Sequence, residues 1–143
     1  MLNTVISIVF AAMVVSVMLF EGHKMLLTLT PPVKYNSISV EQSVVRAGDA
    51  LNIVINLTRV RHCRSSLDSF MVNKKTGDVI YRRSVSGGAS EIGERVVRVS
   101  HDVPKGAPAG DYEFVSRGFY DCYEGMHVLT FPSATFTVVG SKS

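Results

Sequence analysis

Two cysteines, Cys63 and Cys122, are the residues of this 143-residue chain best equipped for chemistry, and two of its four histidines stand close to them in sequence. His62-Cys63 and Cys122-x4-His127 together offer two imidazoles and two thiols, with Met126 adjacent, a donor set that suits zinc or copper. Two features of the spacing weaken a metal site. His62 and Cys63 are chain neighbours and point to opposite faces if a strand continues through them. A blue-copper site wants a methionine a few residues after its histidine, where this chain carries Leu129, Phe131 and Pro132. Cysteines of this kind have two other states, free thiols packed as small hydrophobes in a reducing compartment and a bridge formed in an oxidising one.

Other chemistry finds little support. There is no Gly-x-Ser-x-Gly elbow, and Ser86-Gly87-Gly88-Ala89-Ser90 follows a strand with no helix after it, so it reads as a flexible loop. No glycine-rich phosphate cradle occurs, and Glu91 with Glu94 reads as a solvated approach to a strand. The expectation is a non-enzymatic chain with no catalytic residue and no cofactor. Basic residues cluster at Arg59, Arg61 and Arg64 and again at Lys74, Lys75, Arg82 and Arg83. With a net charge of only +3 and no regular aromatic interleaving, they predict no nucleic-acid partner. They form a solvated face, or a contact for anionic headgroups or an acidic protein. The segment 119–126 is the most suggestive surface: Phe119, Tyr120, Tyr123 and Met126, with Arg61 and Arg64, are the candidate binding residues. Asn56-Leu57-Thr58 matches a glycosylation triplet but sits in the middle of an expected strand.

These residues need elements to hold them, and hydropathy divides the chain sharply. Residues 1–20 contain 16 hydrophobic residues and no charge, interrupted only by Asn3, Thr4, Ser7 and Ser16. As a helix they cover about 30 Å, the thickness of a bilayer's hydrocarbon core. A cleaved signal peptide wants a basic leader, a shorter apolar run and small residues at its cut site; no Lys or Arg precedes Lys24, and Val17-Met18-Leu19-Phe20 offers no Ala-x-Ala. The expectation is an uncleaved single-span anchor, with Ala11, Ala12 and Ser16 allowing close approach of other helices. The first charges, Glu21, Lys24 and Lys34, follow the span and on the positive-inside rule place the rest of the chain in the cytoplasm; a cysteine bridge argues for the opposite side.

Residues 21–32 read as a linker ending in the stiff Thr30-Pro31-Pro32, and residues 140–143 as a tail. Between them the pattern has period two. Leu51, Ile53, Ile55 and Leu57 alternate with more polar neighbours, as in a half-buried strand. Strands are further expected at 33–40, 44–46, 69–73, 79–85, 95–99, 111–118 and 127–139, the last with Pro132 at a bulge or edge. Lys74-Lys75-Thr76-Gly77-Asp78 reads as a hairpin turn and 102–110 as a Pro/Gly connection. Seven to eight short strands with turns at this spacing predict an all-β sandwich behind one N-terminal transmembrane helix.

Pro108-Ala109-Gly110-Asp111-Tyr112-Glu113-Phe114 resembles the corner leading into the sixth strand of immunoglobulin-like domains, especially the bacterial or phage extracytoplasmic type. The resemblance covers residues 33–139. It implies that the Tyr112 hydroxyl bonds back to the corner backbone and that Phe114 stands where antibody domains carry a core cysteine. It also implies that the strands at 51–60 and 111–118 lie in opposite sheets. Cys63 and Cys122 follow those strands by matching distances with inward parity, so they are expected to meet at one end and bridge the two loops there. The function expected is that of a membrane-anchored, extracytoplasmic accessory, assembly or binding subunit that contacts other membrane-protein subunits. Two alternatives stand beside it: a metal-binding protein using His62, Cys63, Cys122 and His127, and a viral or phage structural protein.

Overall fold

The computed structural model describes residues 2–88 and 91–140; the end of the expected Ser86–Ser90 loop and most of the expected tail lie outside the described residues. The chain forms two units, 1–31 and 32–143, each treated by itself below.

The first unit is one helix, α1 (Leu2–Leu29). It runs past the uncharged stretch that ends at Phe20 and takes in most of the expected linker. Glu21-Gly22-His23-Lys24-Met25-Leu26-Leu27 contains several good helix formers and no breaker stronger than one glycine. Pro31 and Pro32 supply the stop, since a proline disfavours helical geometry in the residue before it. At the end the Thr30 N–H donates to Leu27 O (3.2 Å) and the Thr30 hydroxyl to Leu26 O (3.1 Å). The Ser16 hydroxyl likewise bonds back to Ala12 O (2.8 Å), which removes the cost of a polar group in an apolar segment. Residues Val9–Leu27 are long and apolar enough to cross a membrane, with mean hydropathy 1.5.

The second unit is a two-sheet sandwich. Its strands are β1 (Val33–Val40), β2 (Val44–Arg46), β3 (Ala50–Arg59), β4 (Arg64–Asn73), β5 (Val79–Gly87), β6 (Gly93–Asp102), β7 (Gly110–Cys122), β8 (Gly125–Thr130) and β9 (Ala134–Val139). One sheet has the order β1-β3-β6; the other has β2-β9-β7-β4-β5, with β8 also paired to β7. All pairings are antiparallel except β2 with β9. The strands expected at 51–60 and 111–118 are thus β3 and β7, in opposite sheets.

Alternation builds the core. Leu51, Ile53 and Ile55 of β3 face Met71 of β4, Tyr112 and Phe114 of β7, and Phe136 and Val138 of β9, all buried. Each such apolar side chain contributes about 1.5–3 kcal/mol relative to exposure. The Tyr112 hydroxyl donates to Pro108 O (2.8 Å), closing the corner before β7.

Several boundaries differ from the sequence reading: β4 starts at Arg64 instead of Ser69, β5 runs on to Gly87, and β6 covers Gly93–Asp102 instead of 95–99. Two further differences shape the site. The strand expected to end at Gly118 continues to Cys122, turns through Tyr123-Glu124 and returns as β8, so 119–126 is a hairpin and not a loop. The single strand expected over 127–139 is two strands parted at Pro132, because proline has no N–H for the ladder. At that break the Phe131 N–H donates to Ser116 O (3.0 Å), so β7 passes from partner β9 to partner β8 without an orphaned carbonyl.

Candidate functional site

Cys63 and Cys122 are bridged, with Cα atoms 4.6 Å apart. The bridge differs from the expected loop-to-loop staple between sheets. After β3 the chain crosses to the other sheet within residues 60–63, and β4 pairs with β7 in a register that matches Arg64 with Asp121. Cys63 and Cys122 stand one step beyond that pair, so the disulfide prolongs the β4–β7 ladder of one sheet by a covalent rung. The Cα separation suits two directly opposed residues of an antiparallel pair that exchange no hydrogen bonds.

A small second core packs behind it: Val33, Cys63, Tyr120 and Cys122 are buried, with Tyr35, Leu57 and Leu129 against them. Tyr120, expected on the surface, is 4% exposed, because even-numbered residues of β7 from Tyr112 to Cys122 all point inward. Its hydroxyl bonds that of Tyr35. Burial raises both phenols above their ordinary value, Tyr35 also through that bond. Gly118 is buried beside them, and a Cβ there would stand 2.7 Å from the Tyr120 ring. Arg59 joins this cluster by the same odd parity as Leu51, Ile53 and Ile55, and is 6% exposed. Its guanidinium donates to Cys63 O (3.3 Å) and lies 6.0 Å from the centre of the Tyr120 ring. No ion pair holds it among the described residues.

The turn at Tyr123-Glu124 folds an acid back over the bridge. The Glu124 carboxylate, 3% exposed, accepts from Arg61 and meets His127 Nε2 at 3.0 Å. Desolvation pushes this carboxyl up, but its own backbone N–H, the His127 ring and Arg61 together hold it below the ordinary value. Arg61 is therefore engaged in an internal ion pair and is not offered outward as expected. Cys122, Glu124 and His127 place possible metal ligands within 4.8 Å of one another, but a bridged sulfur offers no thiolate. In the expected alternative set of His62, Cys63, Cys122 and His127, both sulfurs are committed to the bridge, and His62 is exposed while Cys63 is buried.

The other candidate residues gather on the outward face of the larger sheet. Phe119 pairs with Val128 and Asp121 with Met126 across β7 and β8. Arg64, Phe119, Asp121 and Met126 line a shallow depression of about 230 Å³. Met126 is 62% exposed, Tyr123 at the turn 71%, and Val128 is exposed beside them. Of the six predicted binding residues, Arg64, Phe119, Tyr123 and Met126 form or border this surface, whereas Tyr120 and Arg61 face inward.

A second feature escaped the sequence reading. Between the inner faces of β4, β5 and β6 lies a cleft of about 350 Å³, lined by Leu67, Val85, Val99, Arg83 and His101 among others. His101 is 5% exposed, with Nδ1 3.0 Å from the Tyr81 hydroxyl, its ring against Phe114, and Nε2 buried without a partner. Burial lowers its pKa from the ordinary value, Arg83 lowers it further, and Asp102 opposes them. The available signal was Arg83, a cation at an inward position of β5, opposite the inward Ser69 of β4.

No protein-family model and no curated protein matches the chain. Solved structures do match in fold. The C-terminal domain of wzt gives a TM-score of 0.58 at 12% identity, covering 79% of this chain and 77% of that one. The alkylpurine DNA glycosylase AlkC of Pseudomonas fluorescens, bound to DNA containing an abasic site analog, gives 0.52 at 16% identity over 78% of this chain. The present chain spans 31% of that enzyme's length. A Niemann-Pick type C2 protein from the Japanese carpenter ant gives 0.50 at 14% identity, covering 77% of this chain and 95% of that one. At these identities the likeness is one of fold, and the chain is an all-β sandwich behind one apolar N-terminal helix.

Proposed function

We propose that the protein is a non-enzymatic, single-span membrane protein whose Ig-like domain lies outside the cytoplasm and serves as a binding or assembly subunit of a larger membrane complex. The observation that carries this reading is the outward surface of β7 and β8. Tyr123, Met126 and Val128, with half-buried Phe119 among them, leave apolar and aromatic area in water beside the cation Arg64, on a hairpin tied by the disulfide at its base. Recognition surfaces combine such anchors with a fixed backbone, because little conformational entropy is then lost on binding. The bridge supports an oxidising compartment, and the Val9–Leu27 segment supports anchorage. The fold neighbours are differently named proteins, a DNA glycosylase among them, which fits a fold that hosts many functions.

The experiment is a mild-detergent pull-down of the full chain followed by mass spectrometry, with Met126→Asp/Val128→Asp in parallel. A stoichiometric membrane-protein partner, lost in the double variant, is expected. Recovery of the chain alone at every detergent strength would sink the proposal. Metal analysis of the same preparation separates it from a metal-delivery role, which a stoichiometric ion would favour.

A further inference from the structure

The cleft between the sheet edges goes beyond the contact surface just described and does not rest on it. In a closed sandwich the inner positions of facing strands are apolar and covered. Here β6 ends the smaller sheet and β5 ends the larger one, and no pairing joins them among the described residues. The inner positions of β5 are left open: Arg83, Val85 and Gly87, paired in register with Ser69, Leu67 and Ser65 of β4. Opposite them stand Val99 and His101 of β6. The walls are thus apolar at Leu67, Val85 and Val99, while cationic and imidazole groups mark the His101 end.

Two polar groups there lack what they ordinarily find. Arg83 makes no ion pair among the described residues, although it is near enough for its charge to act on the His101 ring. His101 Nε2 is buried with no hydrogen-bond partner among the described residues, which leaves its desolvation uncompensated. When the Tyr81 hydroxyl donates to Nδ1, the ring proton sits on Nε2, so the wall of the cleft holds a buried N–H donor that a small shift of the ring would uncover, and Arg83 lines the same cleft. A carboxylate is the group that accepts from both, and its charge offsets that of Arg83.

We propose that the cleft binds a small monocarboxylate amphiphile, with its carboxylate between Arg83 and a slightly shifted His101 ring and its aliphatic body against Leu67, Val85 and Val99. The volume of about 350 Å³ is at the lower end for small-molecule pockets, which selects a short chain.

The test uses the full chain in lipid nanodiscs with ¹³C-labelled histidine, and sodium hexanoate as the probe because it is water-soluble. The His101 ring signal is identified by its absence in His101→Gln. Hexanoate is expected to move that signal saturably, binding about tenfold more tightly than hexan-1-ol and than hexylamine. Arg83→Gln, at an exposed edge position, should lose that tenfold preference with the fold intact. Val99→Phe, which fills the cleft, should abolish the shift. An unsaturable or absent shift, equal binding of hexan-1-ol, or unchanged affinity in Arg83→Gln would each overturn the proposal.

Discussion

Arg59 carries a charge into the interior with one backbone carbonyl and the face of a tyrosine for company. A buried cation without a carboxylate is costly, and a hydrophobic side chain of similar length is often tolerated better. Arg59→Met is expected to raise stability by about 1 kcal/mol, read as a higher melting temperature; a lower one would show that the bond to Cys63 O outweighs desolvation. Tyr112→Phe should cost about 1 kcal/mol by removing the bond to Pro108 O. Two groups give the stability an acid dependence. The folded pKa of His101 lies below its ordinary 6.5, so the unfolded chain takes up the proton first. Its contribution is complete above about 6.5 and declines as pH falls through the lowered folded value. The folded pKa of Glu124 lies below its ordinary 4.5, so a second loss begins near that pH and proceeds downward. Melting curves across pH should show both stages, with the upper one absent in His101→Gln.

Among the elements, the β4–β7 pair sets the character of the sandwich, because the disulfide adds a covalent rung at its end and β7 is the strand on which β4, β8 and β9 all build. A sequence separation of 59 gives the bridge up to about 4 kcal/mol in the chain-entropy picture, so reductant should lower the melting temperature markedly, as should Cys63→Ala/Cys122→Ala. A bridge that contributed nothing would leave both curves unchanged. Alternation made β3 and the inner face of β7 legible from residues alone, and the same parity placed both cysteines inside. The partner sheet of Cys63 was not legible, since a crossing of a few residues decides it and leaves no periodic mark. Nor were the inward turns of Tyr120 and Arg61. An aromatic followed by Asp-Cys-Tyr-Glu-Gly looks like a loop until β8 is known to pair with it, and Glu124 captures Arg61 only through that hairpin.

For the whole molecule, the proposed function assigns location to the apolar helix and recognition to the sandwich. Alkaline extraction should leave the chain in the membrane fraction with its N-terminus intact, and removal of residues 1–29 should release it; a shortened N-terminus on the mature chain would instead mark 1–29 as a signal sequence. The gap between β5 and β6 also has a consequence for crowding. Each is a sheet edge with a row of backbone donors and acceptors facing outward, the kind of rim on which a second chain can add a strand. Arg82 and Arg83 stand in succession on one rim, and Arg95 and Arg98 on the other. On the proposed anchorage, copies of the chain would share a two-dimensional surface, and these guanidinium groups, three of them paired with Asp68, Glu91 and Glu41, put bulky charged side chains on both rims, which disfavours the edge-to-edge addition of a second copy.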